Sequence, residues 1–146
     1  MKSSANGLDR SVSHLLHRAG QAAEDIFQTT IGDLTPRQLT VLATIADNEG
    51  VSQTGLVDRT GIDRSTMADI VPRMQRKGLL QRRRTKEDAR AYAVRLTDEG
   101  RRVLRRAEPL ARRVDERILH VLPAKRRQQF VEQLRAIVGA VQRAGD

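Results

Sequence analysis

The sequence contains no cysteine and no tryptophan, and only two phenylalanines and one tyrosine among its 146 residues. Without cysteine there is no disulfide, no thiolate redox sensor and no Cys-ligated metal. With so few aromatic side chains, a core has to be assembled from Leu, Val, Ile and Ala, which suits helix-on-helix packing better than a β-sandwich. No apolar run approaches the roughly 18 residues that span a bilayer. The first residues, Met1 to Gly7, are polar and carry no apolar signal segment. The expectation is a soluble, cytoplasmic chain with no membrane partner. The histidines, His14, His17 and His120, do not gather as metal ligands do, and no Ser-His-Asp or paired-carboxylate arrangement marks a catalytic centre. No metal, no cofactor and no enzymatic activity are expected.

What the sequence has in excess is positive charge, 27 Lys and Arg against 18 Asp and Glu, for a net charge of +9. Ten of those cations fall between Arg64 and Arg95, against only Asp69, Glu87 and Asp88, a surplus of seven in 32 residues. Charge concentrated in that way points to phosphates as the partner. At this length the chain reads as a single domain, 1–146.

The cationic stretch is also the most ordered in pattern. Ser52 opens a short apolar-periodic run carrying Leu56 and Val57, and Thr60-Gly61 breaks it. Asp63 opens a second run carrying Met67, Ile70, Val71 and Met74, which Gly78 ends. Two strand-like stretches follow, Leu79 to Arg84 and Ala91 to Leu96. A helix-turn-helix followed at once by a basic hairpin is how a winged helix holds DNA. Pro72 lies inside the second helix and is expected to kink it or end it early.

On either side the periodicity is helical. Apolar positions from Leu8 to Phe27 predict one long helix over 8–31. Thr35 and Pro36 form the cap and first position of the next helix, which carries Leu39, Val41, Leu42 and Ile45. Thr97 caps a long helix striped by Val103, Leu104, Ala107, Leu110, Val114 and Ile118, which Pro109 should bend. Pro123 starts a last helix striped by Phe130, Val131, Leu134, Ile137, Val138 and Val141. Asp98 with Arg102 and Glu108 with Arg112 sit four apart, as surface ion pairs do. The predicted fold is mostly α: a winged helix-turn-helix over 34–97 with a two-stranded β wing, flanked by N- and C-terminal dimerisation helices over 8–31 and 101–143. Those flanking helices carry more apolar face than one small domain covers, which reads as a homodimer interface.

Residue by residue, Arg64, Ser65 and Thr66 open the recognition helix and are candidates for base edges or phosphate, with that choice left open. Arg73 shares their face. Ser52, Gln53 and Thr54 offer phosphate contacts through N–H and hydroxyl groups. Arg82, Arg83 and Arg84 alternate faces on a strand, so not all three reach DNA. Arg84 and Lys86 are taken as wing contacts. Arg90 at the wing tip suits a minor groove, with Asp88 steadying its guanidinium.

The order of elements resembles the MarR family of bacterial transcriptional regulators, from about Leu8 to Val141. The resemblance is carried by Thr35-Pro36-Arg37-Gln38-Leu39, by Lys77-Gly78-Leu79-Leu80, and above all by Asp88-Ala89-Arg90-Ala91 followed by Leu96-Thr97-Asp98-Glu99-Gly100. It implies a homodimer with interleaved terminal helices that presents two recognition helices to a palindromic operator on double-stranded DNA. It also implies repression relieved by a small, often aromatic or phenolic, effector. His14, His17 and Arg18 cluster near where the family's ligand cleft lies, and supply the cations an acidic ligand would need. Pro72 is unusual in the family's recognition helix, and the missing cysteine excludes a thiol-based peroxide sensor. Two further readings remain: a ligand-independent architectural DNA-binding protein, and a winged helix used for protein contact, which the charge surplus disfavours.

Overall fold

The computed structural model describes residues 5–87 and 91–144. Helices begin where a short polar side chain can accept the unpaired N–H groups of a first turn. Thr35 Oγ1 accepts from the Gln38 N–H at 3.2 Å, while Gln38 Oε1 accepts from the Thr35 N–H at 3.2 Å. This capping box precedes α3 (Pro36–Asp47). Ser52 Oγ accepts from the Gly55 N–H at 2.9 Å at the start of α4 (Gln53–Thr60), and Asp63 caps α5 (Arg64–Arg76). Gly61, at φ 72°, ends α4 in the left-handed region that disfavours a Cβ.

The N-terminal segment departs from the expectation of one continuous helix. α1 (Ala5–Leu8) stops, and Ser11 starts α2 (Val12–Ile31), its Oγ accepting from the His14 N–H at 3.4 Å. A capping serine interrupts the backbone without disturbing the apolar spacing, so periodicity reads straight through it.

The wing is the expected hairpin, β2 (Leu80–Arg84) with β3 (Tyr92–Leu96), in a register that sets Leu80 opposite Leu96 and Arg84 opposite Tyr92. A third strand, β1 (Val51–Ser52), joins it in the order β1-β3-β2, all antiparallel, with Val51 opposite Val94. Two residues are too few to show an alternation, so the sequence carried no sign of this strand.

The core of this region is aliphatic. Val41, Leu42 and Ile45 of α3 meet Leu56 of α4, Met67, Val71 and Met74 of α5, and Leu80 and Val94 at the wing base. Leu104 and Ala107 of α6 (Asp98–Leu119) complete it. Pro72 does not end α5 early, since the helix continues to Arg76. The carbonyl that loses its partner belongs to Ala68, an exposed residue, where water can take the acceptor.

The join between α5 and α6 is close. The Thr97 N–H donates to the Leu79 carbonyl at 3.1 Å, and its hydroxyl donates to the Gly78 carbonyl while accepting from the Gly100 N–H at 2.9 Å. A Cβ on Gly100 would overlap the Leu79 carbonyl oxygen, so this approach requires glycine. Arg101 bridges Glu49 at 2.9 Å and Asp98 at 3.5 Å, and Arg102 pairs with Glu99 at 2.8 Å. The acid partners on α6 are thus three residues back rather than the Asp98–Arg102 pair the sequence suggested, positions that helix geometry brings equally near. α6 runs unbroken through Pro109.

The chain divides into two compact units, one through Ala111 and one from Arg112. In the first, Leu8 and, on α2, Val12, Leu15 and Leu16 stay exposed. The second holds the end of α6 and α7 (Ala124–Ala144), whose Val131, Ile137, Val138 and Val141 are exposed. Among the described residues no helix is long and apolar enough to cross a membrane.

Candidate nucleic-acid interface

Two helix starts and the wing build the site. At the start of α5, Asp63 Oδ1 accepts from the Thr66 N–H at 2.8 Å and Oδ2 from the Thr66 hydroxyl at 2.7 Å. The backbone bond first, then the hydroxyl bond, hold the Asp63 carboxyl below its ordinary value of 3.8. The Thr66 hydroxyl proton is therefore spent on the cap, while Arg64 and Ser65 stand exposed beside it. At the start of α4 the Ser52 oxygen is likewise occupied by its cap, next to half-buried Gln53 and exposed Thr54. Further along α5, Asp69 holds Arg73 Nε at 3.2 Å, an exposed pair that contributes little stability but directs the guanidinium.

On the wing, strand alternation puts Arg82, Arg84 and Tyr92 on one face. The Arg82 guanidinium lies 4.9 Å from the Tyr92 ring centre and that of Arg84 5.9 Å. Arg82 Nε also donates to Gln75 Oε1 at 2.9 Å, across from β2 to the last turn of α5. Lys86 is exposed. Asp88 and Arg90, assigned to the wing tip, lie outside the described residues.

These elements enclose a cleft of about 440 Å³. Ser52, Gln53 and Thr54 form one wall, Arg64 and Ala68 of α5 another, and Arg82, Ala91 and Tyr92 of the wing the third. Four of the residues singled out in the sequence thus converge, while Ser65, Thr66, Arg73, Arg84 and Lys86 lie outside its lining. Cations, hydroxyls and two helix N-termini around one concavity suit an anionic polymer.

A profile of the MarR family matches residues 32–91. The transcriptional regulator HosA of Escherichia coli O157:H7 is 33% identical over 125 residues, 86% of this chain and 93% of HosA. The chain belongs to the MarR family. Solved structures share its fold: the PcaV transcriptional regulator of Streptomyces coelicolor, in complex with its natural ligand, aligns with a TM-score of 0.87 at 34% identity over 92% of this chain and 96% of PcaV. The transcriptional repressor CouR, bound to a 23-mer DNA duplex, aligns with a TM-score of 0.86 at 28% identity over 94% of this chain and 99% of CouR. α3 to α5 with the β2–β3 wing are the winged helix of a MarR-family transcriptional regulator.

Within this MarR-family fold, His14 is half-buried and His17 and Arg18 are exposed on α2. They line neither the cleft above nor a hollow of about 30 Å³ bounded by Ile31, Asp33, Leu34, Val103, Arg106, Ala107 and Leu110. Sequence reasoning left Gln75, Arg82 and Tyr92 out of the site. Strand parity already grouped Arg82 with Arg84, but Tyr92 joins them only through the hairpin register. That register depends on a tip whose length the sequence leaves open.

Proposed function

We propose that this chain is a homodimeric repressor that occupies a palindromic operator on double-stranded DNA and leaves it when a small aromatic or phenolic ligand binds. The observation that carries the reading is the cleft, which draws Ser52, Gln53, Thr54 and Arg64 together with the wing. In this reading the backbone N–H groups at Gln53 and Thr54 hold phosphate, and Arg64 and Ser65 face base edges in the major groove. Thr66 serves them as part of the cap. Arg73, steered by Asp69, and Arg84 and Lys86 on the wing extend the phosphate track, and Arg90, steadied by Asp88, enters the minor groove. The bare apolar faces of α2 and of α7 supply the contact between two copies. His14, His17 and Arg18 offer the effector's acidic group its cations. The structures of PcaV with its natural ligand and CouR with duplex DNA support both halves of the reading.

The test is a titration of the purified protein, at one fixed salt concentration, against DNA from upstream of its own gene and against random duplex, with footprinting. A palindromic protected site bound about 10³-fold or more tighter than random duplex is expected, and aromatic acids screened on that complex should release it. Equal affinity for both duplexes would replace the proposal with an architectural role, and no binding to either with a protein-contact module.

A further inference from the structure

The recognition helix and the wing address different grooves of a duplex, so both engage together only if the angle between them is held. In this chain β2 is the edge of the sheet, hydrogen-bonded to β3 alone within it, and carries Arg82, Arg83 and Arg84 in succession. Three adjacent cations repel one another and would tend to splay an edge strand. Of the three, only Arg82 is half-buried, and its guanidinium is engaged twice. Its Nε donates to Gln75 Oε1 of α5 at 2.9 Å, and its face lies 4.9 Å from the Tyr92 ring centre on β3. One side chain therefore spans recognition helix, edge strand and inner strand.

We infer that Gln75, Arg82 and Tyr92 form a brace that fixes the wing against the recognition helix and so sets how well the protein discriminates its operator from other DNA. Arg82 is a positioning residue and not a phosphate ligand. The inference rests on the DNA-binding reading above and names what in this chain sharpens it. A planar guanidinium donates in its plane through Nε while its face stacks on an aromatic ring, and a lysine ammonium has neither a planar face to stack nor a donor at the Nε position. Gln75 lies on an exposed stretch of α5 and contributes an acceptor without charge, so losing it removes no cation from the surface.

The test is a double-mutant cycle on the full chain with Gln75→Met, which keeps length and removes the acceptor, and Arg82→Lys, which keeps charge and removes the Nε donor. The probe is a duplex selected by the wild-type protein from a randomised pool. Each single variant is expected to raise the Kd for that duplex about tenfold. The double variant should be no worse than Arg82→Lys alone, because the bond to Gln75 is lost only once. The slope of binding against salt should stay at the wild-type value in both, and Gln75→Met should bind random duplex like wild type, so that only the ratio of specific to non-specific affinity falls. Arg82→Lys binding as wild type, effects that multiply in the double variant, or a salt slope reduced by about one would each overturn the brace. Amide exchange in the DNA-free protein gives an independent reading: β2 amides should exchange faster in both variants, and unchanged exchange overturns the inference. A wild-type chain that selects no duplex would instead overturn the DNA-binding reading and leave the brace to be judged by exchange.

Discussion

Two apolar surfaces in this chain are written in the same periodic pattern and end differently. In the winged helix, Val41, Leu42, Ile45, Leu56 and Met67 are 0% exposed. On the terminal helices, Val12 is 65%, Val138 55% and Val141 67% exposed. Helical spacing states which face will be covered, and says nothing of whether the cover comes from the same chain. The winged helix finds its cover in α3, α4, α5 and the wing base, within a few dozen residues of sequence. On the terminal helices Phe27 is buried, but Val12, Val138 and Val141 find little cover, and a large exposed apolar stripe on a helix marks a contact still to be made.

The contrast can be broken from either side. Leu56→Ala empties a fully buried site and should lower stability by about 3 kcal/mol in a urea titration, with the helices of the winged region melting together. A loss of a few tenths would mean that the core does not depend on its own close packing. On the other surface, Ile137→Glu with Val138→Glu should raise the dissociation constant of the proposed homodimer about 10²-fold or more while leaving the winged helix folded. Sedimentation of the variant as an intact dimer would show that α7 is not the covered face. The smallest effect concerns the cap of α5. The Asp63 carboxyl titrates below 3.8, so its contribution is complete above that value and is lost as pH falls through its folded value. Asp63→Asn keeps an acceptor for the cap and removes the titration. Acid unfolding followed from about pH 5 to pH 2 should therefore be less steep in the variant, and identical curves would place the acid sensitivity elsewhere.

Much of this was legible from residues that act locally. Thr35, Ser52 and Asp63 each announced a helix start because a cap is a bond between a side chain and a backbone three residues on. The cleft was legible in part for the same reason, since Ser52, Gln53, Thr54 and Arg64 sit at or beside two of those starts. What escaped depended on pairings made at a distance. β1 exists because Val51 meets Val94, and the brace exists because Gln75 and Arg82, on different elements, come within 2.9 Å. The break at Ser11 escaped because apolar spacing continues across it, and the passage of α5 through Pro72 because the cost of the proline depends on how exposed Ala68 is.

The arginines of β2 have one more effect, on how these molecules behave toward one another. An edge strand offers unpaired backbone donors and acceptors to any passing strand, and an uncharged one invites sheets to grow from molecule to molecule. Here two wings approaching edge to edge would set Arg82, Arg83 and Arg84 against their own copies. The charge of this edge strand thus also works against aggregation of the unbound protein.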